Sequence, residues 1–229
     1  MKFRLDSPLM EFMNTTANFV GLNLVFLLTC IPIITIGPAI AALYQVLMRE
    51  ARGEHGYLVK SYFHYFKEMF LQGMLTFLLY IGIGLVVVYS FFFWRSFDGY
   101  AAIAVSVILA IIFIFLLCSM TYVFPLMARF QNTFKQTIKN ANIMALVNGK
   151  YTFILLILHL FVNGMMWLFP AARIFMLLIG FAFCAYCFSF LYVKLFKNYE
   201  PQDNENTEIT DKTTTENIED DAEYSVSSI

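Results

Sequence analysis

Four stretches of this chain, residues 69–94, 99–128, 151–172 and 174–193, contain no Asp, Glu, Lys or Arg. Each reaches the roughly 20 apolar residues that an α-helix needs to cross ~30 Å of hydrocarbon. Within lipid every backbone amide has to be satisfied inside the segment or by a closed barrel. A barrel strand alternates apolar and polar residues, and runs such as Ile108–Leu117 do not alternate. The stretches therefore read as membrane helices. Composition agrees: 60% of the 229 residues are apolar and only 14% are charged, too few charges to cover a soluble surface of this size.

A fifth apolar region, residues 12–48, is also free of charge but too long for one crossing. As a single helix it would run about 55 Å. Its middle carries Pro32, Thr35, Gly37 and Pro38. Proline removes a backbone donor and clashes with the preceding turn, so a straight helix through both prolines is disfavoured. The pattern predicts a first helix over 12–31, a break at Pro32–Pro38 and a second helix over 39–52. The expected fold is an all-α polytopic bundle of six membrane helices, with five as the alternative if 12–48 crosses only once.

Charge sets the orientation. The loops at 49–68 and 129–150 carry four basic residues each, while the connections at 94–98 and near 173 carry one each. By the positive-inside bias the basic loops and the C-terminus face the cytoplasm of a cell membrane. With six crossings the N-terminus does so too. A cleaved signal peptide is disfavoured, because Asp6 and Glu11 dilute the basic start and the apolar run is too long.

Residues 1–197 form the membrane domain, with a formal charge of +8, and 198–229 carry −9. Ten of the 16 acids lie in that last segment, with Lys212 as its single cation. Such a polymer cannot bury enough apolar area to offset ordering, so it is expected to be a disordered cytoplasmic tail. Residues 57–70 and 130–141 mix Lys with aromatic or aliphatic residues at helical spacing. They are expected to be short interfacial helices.

Chemistry-bearing groups are sparse. No stretch holds a charge away from its ends, which counts against proton-coupled transport. Asn18, Gln45, His159 and Asn163 are the candidate intramembrane polar contacts. His159 and Asn163, four residues apart, share a helix face and suggest an interhelical hydrogen bond. Cys184 and Cys187 form a C-x-x-C spacing inside an apolar helix, where packing explains them better than redox or zinc chemistry. No nucleotide-binding or hydrolase motif is present. No catalytic residue, cofactor or metal is expected. Inner-leaflet contact accounts for the basic loops more simply than nucleic acid does.

The run Leu22–Tyr44, with Pro-x-x-Thr-x-Gly at 32–37, resembles the N-terminal signature of the YesL-like family of bacterial membrane proteins. So do Tyr62–Phe70, Tyr122–Phe130 and Phe134–Ala141. That family has no defined activity. Its members are often encoded beside sugar ABC-transporter, glycoside hydrolase or two-component genes. The resemblance implies a non-enzymatic accessory of carbohydrate uptake or utilisation. It also implies sugar ABC-transporter subunits or a sensor kinase as partners, besides the bilayer. The alternative is a self-contained small channel or transporter for neutral solutes. It would need a polar path through Asn18, Gln45, His159 or Asn163.

Overall fold

The computed structural model describes residues 8–130 and 132–199, with side chains from Asn14 onward. The acidic segment from Glu200 onward lies outside the described residues, so the expectation of a disordered tail is not addressed there. The body extends to Lys194, and a second unit starts at Leu195.

Every regular element among the described residues is helical. In chain order they are α1 (Pro8–Thr29), α2 (Ile36–Ala51), α3 (Leu58–Glu68), α4 (Phe70–Arg95), α5 (Tyr100–Arg129), α6 (Phe134–Val147), α7 (Gly149–Leu168), α8 (Pro170–Phe175) and α9 (Phe181–Phe196). A 3-10 turn at Ile33–Thr35 leads into α2, and a π-turn at Met176–Gly180 joins α8 to α9. Five helices among the described residues are long and apolar enough to cross a membrane: Ile33–Ala51, Phe70–Arg95, Tyr100–Arg129, Gly149–Leu168 and Pro170–Phe196. This is an all-α membrane bundle.

Local sequence explains the ends. α1 stops at Thr29, and Pro32 follows in extended conformation. Pro38 does not belong to the interruption, where sequence reasoning put it; it lies in the first turn of α2. A proline there costs nothing, since the first-turn N–H groups of a helix have no partner inside the helix. Gly99 turns the chain between α4 and α5 at φ 123°, a backbone conformation that a Cβ would strain. The amphipathic segments of the basic loops are helical, as α3 and α6.

The helices differ in what surrounds them. In the most apolar stretch of the α2 region 61% of residues are buried inside the protein, against 11% in α5 and 11% in α7. Gly37, Ala39, Ala41 and Ala42 keep α2 thin, so its neighbours approach closely. Residues 122–128 of α5 are buried without interruption. The other end of α5 is different: Ile103, Ile108, Ile111 and Ile114 are exposed, as are Leu85 and Val86 of α4. That apolar surface has no partner among the described residues, as suits a face turned to lipid.

Candidate functional site

The polar groups of the body gather in a few nodes, most of which tie α1, α2 or α6 to other helices. The most complete one surrounds Asn23, which is fully buried. Its Nδ2 donates to the Met176 carbonyl at 3.1 Å and the Leu177 carbonyl at 2.8 Å, and its Oδ1 accepts the Ala182 N–H at 3.0 Å. A π-turn shifts the backbone register by one residue and strands carbonyls and an amide. One carboxamide has the two donors and the acceptor that this defect needs. Phe19 and Phe26, one turn to either side, pack on Tyr186 and Phe181.

A second node closes the α1–α2 turn. The Thr29 hydroxyl donates to the Phe26 carbonyl at 2.8 Å, so the Tyr62 hydroxyl, 2.6 Å away, donates to Thr29. Thr35 Oγ1 lies 2.6 Å from the Thr29 and Pro32 carbonyls. Burial pushes the Tyr62 phenol well above its ordinary pKa, so it stays a neutral donor. Two residues on, Gly37 sits against Gly73 of α4. A Cβ on Gly37 would collide with the Gly73 carbonyl and come within 2.7 Å of the Phe77 Cβ. Thr35 and Gly37 thus have definite structural work: one closes the turn and the other permits backbone contact.

The middle of α2 meets a cluster of buried tyrosines. Tyr44 and Tyr192 pack edge to face at 5.4 Å, and Tyr122 and Tyr192 at 6.2 Å. Thr152 donates to backbone carbonyls of Ala145 and Asn148, so Tyr122 donates to Thr152 at 2.9 Å. Tyr192 donates to the Thr121 carbonyl at 2.8 Å. A further chain runs from Tyr80 to Ser119 to Asn142 and pins α6 to α4 and α5. Gln72 bonds the Asn132 carbonyl and Thr137, both at 3.1 Å.

The residues that sequence reasoning singled out fall elsewhere and are not brought together. His159 donates from Nδ1 to the Leu155 carbonyl at 2.8 Å and stacks on Phe188 at 4.6 Å. Asn163, exposed, donates to the His159 carbonyl at 2.8 Å. Both therefore bond their own helix, one turn back. Asn18 is exposed on α1, and Gln45 is half-buried on α2. The four cysteines carry free thiols, and no His, Cys, Asp and Glu cluster among the described residues could hold a metal ion.

At the far end of α2, Glu54 accepts from Arg52 at 2.7 Å and from Arg49 at 3.0 Å. The Arg52 hydrogen bond is the largest influence on the Glu54 carboxyl and, with help from Arg49, holds it below its ordinary pKa against the opposing effect of burial. Arg49 also reaches the Tyr65 hydroxyl.

These nodes can be set against known sequences. Residues 19–91 match the model of a family described as "Protein of unknown function, DUF624". No curated protein and no solved structure matches the chain. The stretch similar to DUF624 holds Thr29, Thr35, Gly37, Tyr62 and Gly73, which tie α1 through α4 together, and Asn23, which ties α1 to the π-turn and α9. Sequence reasoning did not single out Asn23, Ser119 or Asn142, and Tyr62 entered it only within the segment 57–70 and the resemblance at Tyr62–Phe70. The usable signal for Asn23 was an amide alone between leucines in an apolar run. Its partners, more than 150 positions away, gave no signal at all.

Proposed function

We propose that the chain is a non-enzymatic accessory component of carbohydrate uptake or utilisation in a bacterial cell membrane. The observation that carries this over a channel is the use made of the polar side chains. Asn23, Ser119, Asn142, His159 and Asn163 are spent on backbone carbonyls or on one another rather than aligned along a path. A body built that way is a scaffold that presents surfaces. The class of process comes from the YesL-like resemblance at 22–44, in line with the match over 19–91.

Orientation follows the basic loops, with 49–68, 129–150 and the C-terminus cytoplasmic. The Gly37–Gly73 contact supports a single crossing by residues 12–48. It sets the first turn of α2 against the first turn of α4, which follows the basic loop directly. A helix starting there cannot also begin on the opposite face of the bilayer. The proposed crossings are therefore α1, α4, α5, α7 and α8 to α9.

Affinity purification from mildly solubilised membranes of glycan-grown cells tests the role. Sugar ABC-transporter subunits, or a sensor kinase, are expected to co-purify. Their consistent absence would sink the proposal.

A further inference from the structure

Two amphipathic helices, α3 and α6, lie on the basic loops, and both adjoin α4. Gln72, in the first turn of α4 and four residues beyond α3, bonds Asn132 and Thr137 at the start of α6. Each helix packs one side inward: Leu58 and Tyr62 on α3, and Thr137, Ala141, Met144 and Ala145 on α6. What they leave outward is unusual for a cytoplasmic surface.

On α3 the outward residues are Lys60, Phe63, His64 and Lys67, at the spacing of a single helix face. On α6 they include Lys135, Lys139, Ile143 and Leu146, again one face. Ile143 is 46% exposed and Leu146 68%. The residues from 129 to 150 contain no acid. Among the described residues, the carboxylates near these helices pair elsewhere: Glu54 with Arg49 and Arg52, and Glu68 with His64 at 3.8 Å. Lys60, Lys67, Lys135 and Lys139 have no carboxylate within ion-pair distance there.

The α6 face changes from cationic to apolar over about 16 Å of helix rise. The interfacial layer on each side of a bilayer is about 5–8 Å deep. A helix lying obliquely would place its two lysines among phosphates and its leucine among acyl chains. A free anion would leave Ile143 and Leu146 in water, and the run of lysines without acids favours an anionic lipid over a protein face.

We infer that the outer faces of α3 and α6, on either side of the first turn of α4, form a docking surface for anionic phospholipid. Lys60 and Lys67 on α3 and Lys135 and Lys139 on α6 hold lipid phosphate, and Phe63, Ile143 and Leu146 lie against the acyl chains. Charge complementarity supplies selectivity over zwitterionic lipid, and the apolar half supplies depth.

The test uses the full chain in neutral detergent, with phosphatidylglycerol or phosphatidylcholine added and retained lipid read by native mass spectrometry. The wild type is expected to retain phosphatidylglycerol preferentially, with the preference fading as salt rises. Each Lys→Gln change among the four is expected to weaken retention about fivefold, and K135R with K139R to restore it. Equal retention of the two lipids by the wild type would overturn the assignment. So would a preference that survives K60Q/K67Q/K135Q/K139Q, or displacement of the lipid by inorganic phosphate alone. Should the quadruple variant lose its monodisperse profile, K139Q alone and the salt series on the wild type decide the matter by the same criteria.

Discussion

Gly37 and Gly73 meet backbone to backbone. A Cβ on Gly73 would come within 2.7 Å of both the N and Cα of Pro38, and one on Gly37 would strike the Gly73 carbonyl. Neither obstacle is the movable end of a side chain, so relief requires α2 and α4 to part. G37A and G73A are each expected to destabilise the body by about 1–3 kcal/mol, the usual scale of overpacking. Thermal unfolding in detergent, read by loss of the monodisperse peak, measures this. G82A is the control, because a Cβ there meets nothing within 4 Å. Equal midpoints for G37A and G82A would remove the close contact from the account of the fold.

Asn23 repairs a backbone defect that its own helix does not contain. N23A leaves two carbonyls of the π-turn and the Ala182 amide of α9 without this partner, at about 1–3 kcal/mol for such groups when buried. N23L restores the volume but not the hydrogen bonds, so it should remain destabilised. Hydrogen exchange at 176–182 is expected to quicken in both variants. N163A, which removes only an exposed bond within α7, should leave stability and exchange there unchanged.

How much of this was legible follows from what hydropathy encodes. Length and freedom from charge are properties of a line, so α4, α5, α7 and α8 to α9 could be read directly. The location of α2 could not. A helix shielded by protein and a helix shielded by lipid have the same apolar composition, and only the 61% burial around α2 separates them. Pro38 misled because the rule against proline holds for helix interiors and not for first turns. His159 and Asn163 do share a face, as their spacing requires, yet spacing does not say whether an amide reaches across or back. In lipid a carbonyl one turn earlier is always at hand. Tyr62, Tyr122 and Tyr192 were hidden by number, among 13 tyrosines and 26 phenylalanines.

Glu54 gives the α2–α3 connection an acid-sensitive clasp. Its folded pKa is depressed, chiefly by Arg52. The sign follows from linkage: the stabilisation is fully present above the unfolded value, about 4.3 for glutamate, and is lost as pH falls through the lower folded value. The carboxylate is partly open to solvent, so the effect is small and screened by salt. E54Q is expected to lower the unfolding midpoint slightly at neutral pH and to match the wild type in acid. Parallel curves for the two proteins across that range would show that the clasp carries no stability.

The two readings of residues 12–48 differ on the side that holds the N-terminus. If α2 crossed alone, Gly37 would begin α2 on the face opposite the 49–68 loop, a bilayer's thickness from Gly73. The contact between them sets α2 in the packed interior beside Tyr122 and Tyr192, and the proposed topology has α1 as the single crossing of this region. An enzyme reporter that is active only outside the cytoplasm, fused before Met10, is therefore expected to be active. The same reporter after Lys197 should be silent, since Lys194 and Lys197 follow the last crossing on the basic side. Silence at both positions would restore six crossings. The Gly37–Gly73 contact would then have to belong to a helix pair that dips into the bilayer and returns.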